Sequence, residues 1–307
     1  DWKSALDAFC IRVLEMHREG EPLAYVGQAP ARPEPPFLLR PLIQEGVSTI
    51  LFGPGGTGKS TLAAVIATAV QTGRDPMDGW TVMRAVPVLV LDWEDDAATW
   101  NDMVAEAARG LQVEPPRIAY LRMDSPLDQA VHKVSAVVTE QGIGLVIVDS
   151  VENALRNVGD GGGINEPIKR MFGALRLFRT SNLLIDHVSK ASVRGDEETD
   201  GQPIGGTAKT NRARRTYELR RAGDPEPGVL HLSLINRKVN RTAMGEPVGI
   251  QVRRMQGALE LTPEQAQIKD PVTARATKLE DRIRGALRMG QRLTAAQIVD
   301  AIGLGGS

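Results

Sequence analysis

The sequence predicts an α/β fold. A mainly parallel central sheet is extended by antiparallel strands, with a small helical arm before it and a partial, possible winged-helix segment of helices after it. Three observations predict this. Between residues 47 and 187, short apolar runs alternate with longer runs at helical spacing, the pattern of βαβ units and a parallel sheet covered on both faces. Two of those runs, 87–92 and 144–149, are apolar to their last residue, which is Asp. Such strands are buried on both sides and show an acid at the carboxyl edge, where ligands bind in open α/β sheets. After residue 213, four segments of alternating character are separated by turn residues, as antiparallel strands are.

Taken in order, residues 1–20 carry Leu6, Phe9, Cys10, Val13 and Leu14 at helical spacing and predict a short amphipathic helix. It either packs on its own domain or exchanges onto a neighbouring copy. Residues 21–36 hold five prolines, Pro22, Pro30, Pro33, Pro35 and Pro36, and read as an extended linker. Residues 37–45 then lead into the core. Strands are expected at 47–52, 87–92, 118–122, 144–149 and 182–187, and helices at 60–72, 95–110, 127–140 and 165–180. Residues 190–206 form a long polar, Gly-rich loop, and loops of that length inside a compact domain usually serve function. The antiparallel segments follow at 214–221, 229–235, 248–253 and 258–261. Residues 262–277 read as a linker, and 278–289 and 294–302 as two short helices. The pair is either the first half of a helix-turn-helix or a plain helical tail. The expected organisation is an arm and linker at 1–36, one large domain at 37–262 and a terminal segment at 263–307.

Between the first core strand and its helix lies Gly53, Pro54, Gly55, Gly56, Thr57, Gly58, Lys59, Ser60, followed by Thr61. It satisfies the phosphate-loop pattern G-x-x-x-x-G-K-[ST] in the strand–loop–helix context that the motif requires. Glycines let the backbone wrap a polyphosphate with its N–H groups inward, and the new helix aims its positive end at the same anion. Lys59 is placed to reach the β- and γ-phosphates and Ser60 to ligate Mg²⁺. No Asn-Lys-x-Asp base-reading motif is present, which favours ATP over GTP.

A phosphate loop needs a second carboxylate near the metal, and Asp149 at the end of its apolar strand is the natural one. Hydrolysis needs a further group to orient water. Two acid-rich places compete, Asp149 to Glu152 and Asp92 to Asp96. Asp92, Asp95 and Asp96 read as caps and helix-dipole partners. His187, ending the strand 182–187 in a polar cluster, is the candidate sensor of the γ-phosphate.

Bulk composition sets limits. The 307 residues carry a net charge of −1, so a general nucleic-acid coater is excluded and any basic site is local. One cysteine, Cys10, rules out an internal disulfide and points to a reducing, cytoplasmic setting; among apolar neighbours it reads as packing. No apolar run reaches 18 residues and no signal peptide is visible. The chain starts without Met and ends on Gly-Leu-Gly-Gly-Ser, which reads as a fragment cut at both ends.

Together, the phosphate loop, Glu94 after the next core strand, Asp149-Ser150 after a later one and His187-Val-Ser-Lys190 after the one beyond resemble a RecA-like ATPase. The resemblance is to the AAA-family group that includes RepA-type hexameric replicative helicases, over residues 37–262. In AAA+ enzymes the catalytic acid directly follows the metal-binding Asp, and here Ser150 holds that place, which leaves Glu94. The resemblance implies that Glu94 activates water and that Gly205 to Ala208 is similar to the turn after a DNA-facing loop. It also implies that the late strand 234–241 sends a cation into a neighbouring subunit's nucleotide. Lys238 and Arg241 are carried over as candidates, with Arg237 an alternative because the spacing departs from Lys-x-Arg.

The implied assembly is a homo-oligomeric ring, expected to be hexameric, around single-stranded DNA. Lys209, Arg212, Arg214, Arg215, Arg220 and Arg221, with Lys190 and Arg194 near the long loop, would follow a phosphate backbone without reading sequence. Asp196, Glu197, Glu198 and Asp200 oppose this, and the loop has no aromatic residue to stack bases. Residues 159–163 form a second Gly-rich loop. The expectation is Mg²⁺-dependent ATP hydrolysis by a helicase-type motor. Its competitors are a regulatory or loader ATPase that does not unwind, and a nucleotide switch of low turnover.

Overall fold

In the computed structural model, which describes residues 2–6, 8–9, 27, 34–155, 164–188, 206–240, 245–264 and 294, the chain divides into two compact units, Asp1–Glu34 and Pro35–Ser307. In the first, residues 2–6 and 8–9 are helical, and Trp2, Leu6 and Phe9 are exposed. Cys10, the two Gly-rich loops at 159–163 and 190–205, Arg241 and, Thr294 apart, the terminal helices expected at 278–289 and 294–302 lie outside the described residues. Among the described residues no helix is long and apolar enough to cross a membrane.

The second unit opens on three short strands, β1 (Phe37–Arg40), β2 (Ile43–Gln44) and, after the first helix, β4 (Thr81–Val82), which pair antiparallel in the order β2-β1-β4. The main elements follow the apolar runs. They are β3 (Ser48–Gly53), α1 (Lys59–Thr72), β5 (Val88–Asp92), α2 (Ala97–Leu111), β6 (Ala119–Arg122), α3 (Val131–Glu140) and β7 (Leu145–Asp149). Then come α4 (Val151–Ala154), α5 (Asn165–Leu177), β8 (Ser181–His187) and α6 (Gly206–Arg212). Four long strands complete the unit: β9 (Arg215–Glu226), β10 (Val229–Val239), β11 (Val248–Met255) and β12 (Ala258–Glu264).

The nine-stranded sheet runs β12-β11-β10-β9-β3-β8-β7-β5-β6. From β6 to β9 neighbours are parallel, and from β9 to β12 antiparallel. This is the mainly parallel, antiparallel-extended α/β sheet that the sequence predicts.

Each central strand feeds two cores, because successive side chains point to opposite faces. Leu51, Val88, Val90, Leu145, Ile147, Leu183 and Ile185 pack under α1, α2 and the small sheet. Ile50, Phe52, Leu89, Leu91, Val146, Val148 and Leu184 pack under α3 and α5. These side chains are essentially fully buried, and each such Leu, Val or Ile contributes about 1.5–3 kcal/mol relative to exposure. That double burial is why the runs read as continuous rather than alternating.

The differences from the sequence reading are local. Helix α3 begins at Val131 rather than 127, after a turn in which the Ala130 N–H donates to Leu127. Helix α5 ends at Leu177, and Arg179 takes a left-handed φ of 53°. Residues 37–45 are not a lead-in but two strands of the small sheet. That sheet is tied to the large one by Arg215 on β9. Its guanidinium stacks 4.6 Å from the Phe37 ring centroid and donates to the Pro41 carbonyl at 3.2 Å and the Tyr217 hydroxyl at 3.0 Å.

Candidate active site

The phosphate loop spans β3 and α1 at the carboxyl edge of the sheet. Gly53 sits where β3 passes the Leu219 carbonyl on β9; a Cβ there would lie 2.2 Å from that oxygen, so only glycine fits. Gly58 precedes α1 with φ of 83°. Lys59 is buried, 5% exposed, and its ammonium donates to the carbonyls of Gly53 at 3.0 Å and Pro54 at 2.9 Å. Thr57 donates to Pro54 at 2.9 Å. Burial lowers the Lys59 pKa, and the charges of Asp149, Glu94 and Asp186 oppose that shift. Gly55 and Gly56 are exposed, Ser60 and Thr61 half-buried, and the first turn of α1 carries no acid. The loop therefore presents exposed backbone, a desolvated ammonium and an uncompensated helix dipole, which is an anion site by construction.

Asp149 ends β7, 4% exposed, on the same face as α1 by strand parity. Burial pushes its carboxyl up to about 6; a hydrogen bond from Ser60 opposes this, the charges of Glu94 and Asp92 add to it, and Lys59 lowers it. A hydroxyl beside a desolvated carboxylate is a hard-oxygen donor set short of positive charge, and it fits Mg²⁺. Among the described residues, no cluster of three or more His, Cys, Asp or Glu could hold a metal by itself.

Glu94 is held by the turn after β5. Asp92, fully buried, accepts the Glu94 N–H at 2.8 Å, the Asp95 N–H at 3.1 Å and the Tyr120 hydroxyl at 2.9 Å. The Trp93 indole is pinned to the Ser125 carbonyl at 2.9 Å, and Asp96 caps α2 by accepting the Thr99 N–H at 2.8 Å. Glu94 Oε1 accepts from Ser150 Oγ and, at 3.0 Å, from Asn153 Nδ2, with His187 Nε2 at 3.5 Å. The His187 hydrogen bond, followed by those of Ser150 and Asn153, lowers the Glu94 pKa to about 2 against the opposing effect of burial. The competing acid Glu152 is exposed.

His187, at the end of β8, has its pKa raised by Glu94 against burial. Its neighbour Asp186 projects to the opposite face. There it accepts the Lys209 ammonium at 2.8 Å, with both side chains at most 1% exposed.

The structure thus brings Lys59, Ser60, Asp149, Glu94 and His187 to one edge. Sequence reading missed Asn153 and Asp186, and it assigned Lys209 to the nucleic-acid cluster rather than to a buried pair with Asp186. Asn153 lies one turn past Ser150 on α4, and that spacing was the available signal.

The cation candidates are placed differently. Lys238 on β10 donates to the carbonyls of Ala213 at 3.0 Å and Asn211 at 3.4 Å, and to that of Thr210, capping α6 of its own chain. Burial lowers its pKa, with Arg214 adding to the effect. Arg237 donates to the fully buried Glu218 at 2.7 Å, and Arg220 binds the other oxygen of that carboxylate at 2.7 Å. Arg241 lies outside the described residues. The basic cluster does not form one face. Lys209 and Arg215 are buried and committed to Asp186 and to the Phe37–Pro41 segment, whereas Arg212, Arg214 and Arg221 are exposed.

Residues 17–193, more than half of the 307, match the family described as AAA domain. No curated protein matches the sequence. The fold is similar to that of a KaiC-like protein from the hyperthermophilic archaeon Pyrococcus horikoshii OT3, with TM-score 0.50 and 16% identity over 80% of this chain and 100% of that one. It is also similar to the RadB recombinase, with TM-score 0.51 and 18% identity over 73% of this chain and 93% of that one.

Proposed function

The chain belongs to the AAA-domain family and has the fold of RecA-like P-loop ATPases, and from that premise we propose that it is a Mg²⁺-dependent ATPase with Glu94 as its catalytic carboxylate. In this reading it works as a ring-forming motor on single-stranded DNA, like the RepA-type helicases it resembles. The observation that carries the proposal is the placement of Glu94. Ser150, Asn153 and His187 gather on one oxygen of a carboxylate that shares the carboxyl edge with Lys59 and Asp149.

The residues take these roles. Loop N–H groups and Lys59 hold the polyphosphate; Lys59 exchanges two neutral carbonyls for charged oxygens. Ser60 and Asp149 would hold Mg²⁺, whose bound charge offsets the phosphates. Glu94, ionised at neutral pH, orients the attacking water as an acceptor. Its basicity rises as phosphate charge approaches and as His187 turns from it to the γ-phosphate. His187 is thereby the sensor. The cation given in trans to a neighbour falls to Arg237, Lys238 or Arg241; Lys238 would first have to release the α6 carbonyls. Among the described residues Arg212, Arg214 and Arg221 are the exposed members of the basic cluster and would contact DNA, with Lys190 and Arg194 lying outside the described residues.

The test is ATP hydrolysis by the purified chain, with and without single-stranded DNA, over a range of protein concentrations. DNA stimulation and a rate per subunit that rises with concentration are expected. Glu94→Gln should keep ATP binding and lose hydrolysis by on the order of 10²–10⁴-fold. Unchanged turnover in that variant refutes the assignment.

The burial of Lys209 and Arg215 favours a second reading, a regulatory or loader ATPase that does not unwind DNA. Robust hydrolysis indifferent to DNA would select it.

A further inference from the structure

Among the described ion pairs, Asp186–Lys209 is the one with both side chains hidden from solvent, at 0% and 1% exposure. A buried ion pair is a poor source of stability, because desolvation of two charges offsets their attraction. What this one supplies is geometry.

Asp186 uses its two oxygens on two partners. Oδ2 takes the Lys209 ammonium at 2.8 Å, and Oδ1 takes the backbone N–H of His187 at 2.9 Å. Asp186 and His187 leave β8 on opposite faces, so a clamp on the Asp186 side sets the peptide from which the His187 ring reaches Glu94. Lys209 is itself presented from an anchored element. It lies on α6, whose C-terminal carbonyls are capped by Lys238.

We propose that Lys209 is a positioning residue for hydrolysis: through Asp186 it fixes the backbone of His187, and so the orientation of the imidazole against Glu94. This rests on the reading of Glu94 and His187 given above. The nucleotide side of the sheet then depends on a lysine buried on the opposite face.

Three variants of the full chain test it, with two readouts: the split between kcat and the Kd for ATP, and the imidazole NMR resonance of His187, identified by its loss in His187→Gln. Lys209→Met should lower kcat by on the order of 10²-fold, the scale of a small misplacement, with the Kd for ATP unchanged and the His187 resonance shifted. Asp186→Asn with Lys209→Gln keeps a hydrogen-bonded pair and an acceptor for the His187 N–H. It should restore both readouts. Asp186→Leu with Lys209→Met keeps an apolar, well-packed fold but removes the acceptor. It should fold and still lack kcat, which keeps the test decisive where Lys209→Met alone does not fold. Wild-type kcat and an unshifted resonance in the Leu–Met variant would overturn the proposal. So would an Asn–Gln variant as impaired as Lys209→Met. If the unaltered chain hydrolyses no ATP, the function reading falls, whereas the His187 resonance still decides the positioning.

Discussion

Burial of Asp149 predicts that its carboxylate destabilises the metal-free protein, and the size of that effect can be worked out. Its carboxyl is pushed from 3.8 up to about 6, first by burial. Each pH unit of displacement corresponds to about 1.36 kcal/mol, so the ionised form carries a penalty of roughly 3 kcal/mol. The sign follows from proton binding. Between pH 3.8 and about 6 the folded chain holds the proton that the unfolded chain has released. Its stability is therefore fully present below 3.8, falls as pH rises through that window, and stays lower above it. Asp149→Asn carries no charge and escapes the loss, while its amide oxygen can still accept from Ser60. Above pH 6.5, with a chelator present, the variant should be more stable by about 1–3 kcal/mol, a Tm rise of roughly 2–8 °C. Its metal-dependent hydrolysis should be lost. Thermal melts of both proteins from pH 4 to pH 8 check this, with and without Mg²⁺ and ATP. The difference between the two curves should open across the titration window, and Mg²⁺ with ATP should stabilise the wild type far more than the variant. A variant that melts at or below the wild type at pH 8, or a gap that does not change with pH, would refute the reasoning.

Two further outcomes follow from packing and burial. Gly53→Ala places a methyl 2.2 Å from the Leu219 carbonyl. It should cost about 1–3 kcal/mol in urea denaturation and weaken nucleotide binding, as read by a fluorescent ATP analogue. Glu218→Ala strips a fully buried carboxylate from Arg220 and Arg237. The loss should be about 3–5 kcal/mol in the same assay, because two guanidinium groups lose their buried counter-charge.

The sequence by itself determined the order of the core strands along the chain, their burial on both faces and the chemistry of their ends. A strand between two layers of helices must be apolar at every position, so 88–92 and 145–149 announce themselves, and the acids that interrupt them can only be functional or capping. The phosphate loop is equally local: its glycines, Lys59 and Ser60 act within eight residues of each other. Other features are relations between distant residues, and only the tertiary structure decided them. The small sheet was illegible because strands of two residues, such as Ile43–Gln44 and Thr81–Val82, carry no period. Lys209 and Arg212 look alike in sequence, three residues apart on one short helix, yet one turns to the buried Asp186 and the other to solvent. Likewise Arg214, just before β9, is exposed, whereas Arg215, the first residue of that strand, is buried against Phe37 and the Pro41 carbonyl. Charge is a property of the residue, and so the sequence shows it. Which charges remain in water is a property of the partners across the sheet, and that was settled only when β8, β9 and β10 came together.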